Sequence, residues 1–135
     1  MIEMLVNLDV EDLERAIAFY RAALGLRLGR RLFDGTVAEM LGAATPIYLL
    51  ETPAAGPAYA AASHPREYGR HWTPVHLDFV VDEVTAAVRT AEAAGARLEG
   101  DIRTHGWGRI ATLSDPFGHG FCLLQFVGRG YDENS

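Results

Sequence analysis

The sequence predicts an α+β protein built from two βαβββ modules, and three observations carry that prediction. Val10-Glu11-Asp12-Leu13-Glu14-Arg15-Ala16-Ile17 lines up with Val81-Asp82-Glu83-Val84-Thr85-Ala86-Ala87-Val88, 71 residues further along a 135-residue chain. Each copy follows a stretch with period-2 alternation and runs on at helical spacing. Each is then followed by short runs of strand character separated by turn residues. A repeat of half the chain describes two supersecondary units rather than a solenoid. A helix covers only one face of such a module's sheet, so the other face must be covered by something else or form a cleft.

The first module spans about residues 3–52. Met4 to Val10 reads as its first strand. Glu11-Asp12 opens the helix with acidic groups at the positive end of the helix dipole. Leu13, Ala16, Ile17, Tyr20, Ala23 and Leu24 make one apolar stripe, and Gly25 is the stop. Arg27 to Phe33, Thr36 to Leu41 and Pro46 to Glu51 are the three following strands. Asp34-Gly35 marks a hairpin turn, and Gly42 to Thr45 a looser connection.

Residues 53–73 form a connector with no convincing period, broken by Pro53, Gly56, Pro57 and Pro65. A short helical piece fits Ala58 to Ala62. The connector ends in His64, Tyr68, His71 and Trp72, and the spacing of His64, Tyr68 and His71 matches one helical face only if Ser63 to His71 is helical. With no further acid than Glu67 beside them, these are read as surface or interface residues.

The second module spans about residues 74–127. Pro74 to Asp82 is its first strand and Glu83 to Ala94 its helix, stopped by Gly95. Strands follow at Arg97 to Arg103, Arg109 to Ser114 and Gly120 to Val127, with a turn at Asp115-Pro116-Phe117-Gly118 and His119 as a turn residue. The polar tail, 128–135, is expected to fray. The whole, 1–135, is expected to form a single domain of ordinary size.

Composition sets the outer bounds. With 49% hydrophobic residues the chain can bury a core without staples. A net charge of −6 argues against nucleic acid as a partner, which needs a basic face. The one small basic group, Arg27, Arg30 and Arg31, reads as a solvated strand edge. A single cysteine, Cys122, makes no intrachain disulfide. No apolar run approaches the roughly 20 residues that span a bilayer. The N-terminus shows no signal pattern, so a cytoplasmic location and no membrane partner are expected.

The chemistry-bearing residues centre on Pro74 to Asp82. His76 and Asp78 lie two residues apart on a strand and so share one face. A carboxylate there orients an imidazole, for acid–base work with His76 as the catalytic group or for holding a ligand. Trp72 and Trp107 offer large apolar area with a polar handle, as pockets use. Trp107, between Gly106 and Gly108, reads either as a plain hairpin tip or as a lip that closes on ligand. Cys122, flanked by Phe121, Leu123 and Leu124, reads as a small buried filler rather than a nucleophile.

Val-x-Asp-Leu-x-x-Ala-Ile-x-Phe-Tyr-x-x-x-Leu-Gly-Leu, at Val10 to Leu26, resembles the vicinal oxygen chelate superfamily, and so does Asp115-Pro116-Phe117-Gly118-His119. That superfamily includes glyoxalase I, extradiol dioxygenases, and fosfomycin- and bleomycin-resistance proteins. The resemblance runs from about Met4 to Val127. It implies a curled eight-stranded mixed sheet around a cup, and a homodimer. It also implies four metal-ligand positions, which fall here on Leu5, Tyr48, His76 and Cys122. Leu5 has no donor atom, and two side chains that suit zinc, His76 and Cys122, are too few alone. Glu3 or Asn7 on the Leu5 face, Asp78 beyond His76, or Glu51 turned inward at a bulge are the available replacements.

Two readings follow. One is a metal-free binding protein of the bleomycin-resistance type. It sequesters a small molecule such as a drug or metabolite, with Tyr48, His76, Asp78, Trp72, Trp107, Cys122, Leu5 and Asn7 around the ligand and no cofactor. The other is an enzyme: a divalent-metal lyase, isomerase or dioxygenase with an altered ligand set that includes His76, or a metal-free acid–base catalyst using His76.

Overall fold

A computed structural model describes residues 1–55 and 65–134, without side-chain detail at 133–134. The proposed helical piece at Ala58 to Ala62, and His64, lie outside the described residues. The chain divides into two compact units, Met1–Gly69 and Arg70–Ser135.

In the first unit, β1 (Val6–Val10) is followed by α1 (Leu13–Leu24), then β2 (Arg27–Leu32), β3 (Val37–Leu41) and β4 (Ile47–Glu51). The sheet order is β1-β4-β3-β2, with β1 and β4 parallel and the remaining pairs antiparallel. Asp12 caps α1 by accepting the Arg15 N–H at 3.1 Å, so the helix begins two residues later than Glu11. Gly25 closes it in the left-handed conformation (φ 68°). The apolar stripe of α1 buries Leu13, Ala16, Ile17, Phe19, Tyr20 and Ala23. On the sheet, Ala38, Met40, Ile47 and Leu49 are buried at alternate positions. Burying each large aliphatic side chain of this kind contributes about 1.5–3 kcal/mol.

The β2–β3 turn is shifted by one residue from the Asp34-Gly35 expectation. Phe33 and Asp34 both take positive φ, and the Gly35 N–H donates to the Leu32 carbonyl at 3.1 Å. Gly35 is left-handed as well (φ 85°), the Thr36 N–H donates to the Phe33 carbonyl at 3.2 Å, and the strands close on the Leu32–Val37 pair.

The second unit repeats the plan with β5 (Leu77–Val80), α2 (Val84–Ala94), β6 (Arg97–Leu98), β7 (Arg103–His105), β8 (Gly108–Ser114) and β9 (Gly120–Phe126). Its order is β5-β9-β8-β6, with β7 also on β8. Glu83 caps α2 by accepting the Thr85 and Ala86 N–H groups, and Gly95 closes it. The strand expected at Arg97 to Arg103 is interrupted: Gly100 has φ 73°, and the chain leaves β8 before rejoining it as β7.

The tail does not fray as expected. Gly130–Asn134 forms a 3-10 turn, and Tyr131 packs edge-on against Phe126 at 4.8 Å and against Trp107 at 5.2 Å. His119 is more than a turn residue, and His71 is not simply a surface group. They form a bridge, with His71 Nε2 and His119 Nδ1 3.0 Å apart and the His71 N–H donating to the Gly118 carbonyl.

The repeat survives residue by residue. Val6 pairs with Ile47 and Asn7 with Tyr48 in the first unit; Leu77 pairs with Phe121 and Asp78 with Cys122 in the second. One strand further in, Glu39 pairs with Tyr48, and Thr112 with Cys122. The helix starts also match. The Leu13 N–H donates to a Glu51 carboxylate oxygen at 2.9 Å, and the Val84 N–H to the Gln125 side-chain oxygen at 2.8 Å. Glu51 therefore serves the helix and does not turn inward at a bulge.

Candidate functional site

In each sheet, residues alternate between the helix-covered face and its opposite. The second unit's opposite face carries His76 and Asp78 at β5, Cys122 and Leu124 on β9, and Ile110 and Thr112 on β8. His76 Nε2 lies 3.3 Å from Asp78 Oδ1. The ligating atoms of His76, Asp78 and Cys122 all lie within 4.8 Å of one another. Cys122 is buried, its Sγ 3.8 Å from Thr112 Oγ1, and that hydroxyl accepts a hydrogen bond from Arg103 Nη2 at 3.1 Å. Burial pushes the Cys122 thiol up, which keeps it protonated and weakens any nucleophilic role.

Trp72 stands edge-on to His76, with ring centroids 5.3 Å apart. Its indole passes directly over Gly120, where an added Cβ would lie 2.5 Å from the ring. Arg70 covers the indole at 4.6 Å and pairs with Glu99, whose carboxyl it holds below the usual range. The indole N–H reaches Glu99 at 3.4 Å. Trp72 is thus fixed in place, yet 43% exposed.

Trp107 belongs to a different neighbourhood. It sits in the β7–β8 turn, stacked on His105 at 5.0 Å and against Tyr131. The register places Gly108 beside Phe126, four residues along β9 from Cys122. The structure therefore brings together Trp72, His76, Asp78 and Cys122, and sets Trp107 apart from them.

The first unit fills the corresponding face differently. Leu5 is 61% exposed, just before β1, and Asn7 is exposed opposite Tyr48. Tyr48 donates its hydroxyl to Glu39 at 3.0 Å. Glu39, only 6% exposed, also accepts from the Arg30 backbone N–H (3.2 Å), Nε (3.0 Å) and Nη2 (2.6 Å). The Arg30 guanidinium holds the Glu39 carboxyl down at about 2, with the Tyr48 hydroxyl adding to the effect. Gly29 makes room, because a Cβ there would lie 2.6 Å from the Glu39 carboxylate. Arg30 is therefore not an ordinary solvated edge residue, and Arg31 pairs with Glu14.

Reading the sequence missed Glu39, Arg30, Arg103 and Thr112. The signal that finds them is the repeat itself, carried one strand beyond the first and last strands of each module: it superposes Arg30–Glu39–Tyr48 on Arg103–Thr112–Cys122.

The divalent metal implied by the resemblance draws on Leu5, Tyr48, His76 and Cys122. Leu5 offers no donor, the Tyr48 hydroxyl is committed to Glu39, and the Cys122 thiol is pushed away from the thiolate that binds metal. These four residues do not fit such a site.

The family model for a glyoxalase-like domain matches residues 5–124. No curated protein matches the chain. Solved structures of the same fold include the hypothetical protein SA1046 from S. aureus, with 23% identity, a TM-score of 0.72, and 93% of this chain and 95% of that chain covered. The fosfomycin resistance protein FosX from Listeria monocytogenes has 22% identity, a TM-score of 0.69, and 94% and 96% covered. TnmS3, an antibiotic binding protein from Streptomyces sp. CB03234, has 24% identity, a TM-score of 0.68, and 94% and 97% covered. No helix among the described residues is long and apolar enough to cross a membrane.

Proposed function

The chain belongs to the glyoxalase-like family, and from that premise we infer that it binds a small organic molecule without a metal, on the face that carries Trp72, His76 and Asp78. One observation supports this above the rest. The first module holds no free donors at its two family positions, because Leu5 has none and Tyr48 is tied into the Arg30–Glu39 pair. The second module keeps an exposed aromatic ring beside an imidazole and a carboxylate. Binding by burial on an aromatic wall with a few polar anchors needs nothing more. Proteins of this fold named for antibiotic binding and fosfomycin resistance agree with a role in drug or metabolite sequestration. The net charge of −6 adds a general attraction for ligands that carry positive charge.

The test is a thermal-shift panel of aromatic and peptidic antibiotics and amine metabolites, run in EDTA. A ligand that binds only the folded state at 100 times its Kd adds about 2.7 kcal/mol of stability. Hits are expected to lose their shift in Trp72→Ala and His76→Ala. Hits that shift both variants as much as the parent overturn the assignment of the site.

A second reading rests on the His76, Asp78 and Cys122 trio. One nitrogen, one oxygen and one sulfur donor within 4.8 Å suit zinc better than magnesium or calcium. In that reading the protein is a metal-dependent enzyme with a ligand set drawn from one module. Stoichiometric zinc that is lost in His76→Ala would establish it over the first.

A further inference from the structure

We infer that Arg70 is the positioning residue of the ligand face: through its ion pair with Glu99 it holds the Trp72 indole in one orientation, and so sets how tightly a ligand meets that ring. This deepens the proposed function and rests on it.

Trp72 needs an anchor because the backbone around it supplies little. Residues 72–76 belong to no helix or strand, and β5 begins only at Leu77. A backbone tie comes one residue earlier, where the His71 N–H donates to the Gly118 carbonyl. An indole on such a segment turns about two side-chain torsions and, at 43% exposure, has solvent to turn into. A ring that samples several orientations must be ordered when a ligand binds, and that ordering is subtracted from the affinity.

Three groups remove this freedom. Gly120 lies under one face of the ring, where an added Cβ would be 2.5 Å from two of the indole carbons. Glu99 Oε1 faces the indole N–H at 3.4 Å. The Arg70 guanidinium carbon lies 4.6 Å from the ring centroid, within the range of a cation–π contact.

Arg70 organises the set. Its Nε and Nη2 meet the two oxygens of Glu99, the Nη2 contact at 2.5 Å, and its Nη1 donates to the His71 carbonyl. Each guanidinium nitrogen therefore has a partner, and the fork fixes the plane of the group. Glu99 is itself set on the sheet, because its N–H donates to the Thr112 carbonyl of β8 at 2.8 Å. The carboxylate oxygen that accepts from Nη2 is the one that faces the indole. A strand, a carboxylate, a guanidinium and an indole are thus joined in series. The series continues to His76, 5.3 Å from the indole, and on to Asp78.

Arg70 and Glu99 keep 28% and 32% of their side chains exposed. Pairs on the surface add little to stability as a rule. The bidentate geometry and the place of the guanidinium on the ring point to orientation instead. A lysine would keep the charge but lose both the fork and the flat surface.

The test is made in Trp107→Phe, in which Trp72 is the one remaining tryptophan. Fluorescence anisotropy and quenching by acrylamide then read the ring directly. Arg70→Met removes the charge and the fork, and is expected to lower the anisotropy and raise the quenching while the unfolding midpoint stays near the parent's. Glu99→Gln should do the same, and the double variant should add nothing further, since both cut one series. Arg70→Lys should fall between variant and parent. Hits from the panel of antibiotics and amine metabolites are expected to bind Arg70→Met about three- to tenfold more weakly, the effect of ordering one such side chain. Unchanged anisotropy and quenching in Arg70→Met, additive effects in the double variant, or hits that need Trp72 but bind Arg70→Met as tightly as the parent overturn the inference. If no panel compound binds, the proposed function falls and the affinity claim with it, whereas the fluorescence still decides whether Arg70 holds the ring.

Discussion

The two modules place the same backbone under opposite chemistry. On one sheet face the first module joins arginine, glutamate and tyrosine, with the buried Glu39 carboxylate accepting from Arg30 and from the Tyr48 hydroxyl. On the matching face the second assembles arginine, threonine and cysteine beside an exposed His76–Asp78 pair. A single exchange, glutamate for threonine, decides whether the arginine is cancelled or left charged. The comparison teaches that one repeated scaffold keeps its helix caps and core in both modules while the first ties its matching sheet face into an ion pair. That division explains why function is sought in the second copy.

The comparison is most easily broken at Glu39. Glu39→Ala leaves a guanidinium and a phenol without their shared acceptor, and is expected to lower the Tm by several degrees, the largest loss in the set. Thr112→Ala, at the matching position, removes the hydroxyl's contacts with Arg103 and Cys122 and should cost within about 1 kcal/mol. Equal losses in the two variants, measured by thermal and urea unfolding, would remove the asymmetry. The same carboxylate predicts a pH dependence. Its folded value, about 2, lies below its ordinary value near 4.5, so the stability it supplies is present above about 4.5 and is lost as pH falls toward 2. Glu39→Gln should flatten that fall in urea midpoints between pH 5 and 2.

A smaller effect is expected at Gly120. A methyl there occupies space that the Trp72 indole fills, so Gly120→Ala should cost about 1–3 kcal/mol and shift tryptophan fluorescence toward that of an exposed ring. The smallest test sharpens the likeness rather than the difference. Glu51→Ala and Gln125→Ala each remove the side chain that accepts the first helix N–H, and each should cost about 1 kcal/mol. Similar losses would mark the charge on Glu51 as secondary to its hydrogen bond.

What could be read in the sequence was what local chemistry controls. Asp12 and Gly25, and Glu83 and Gly95, mark both helices because caps are made by residues next to the helix they end. The alternation Leu77, Phe79 against Asp78, Val80 gave β5 its faces. The features that escaped depend on distant partners. A glutamate within Val37 to Leu41 reads as a solvated strand residue; Arg30, nine residues back, and the bare backbone of Gly29 make it a buried one. Tyr131 reads as part of a loose tail until Phe126 and Trp107 are placed beneath it. The strand through Gly100 reads as continuous because its break arises from a left-handed glycine and not from a proline. Of the candidate site, His76 and Asp78 were legible from period alone, whereas the Arg103–Thr112–Cys122 contacts required the register of three strands.

The central claim is that the second module's polar face binds an organic ligand and does so without metal. Its most direct test is the metal content of the purified protein, before and after reconstitution with Zn, Ni, Mn and Fe(II), with His76→Ala alongside. The account predicts far less than one metal per chain in every case, and no difference between the variant and its parent. One bound metal per chain, lost in His76→Ala, would contradict it.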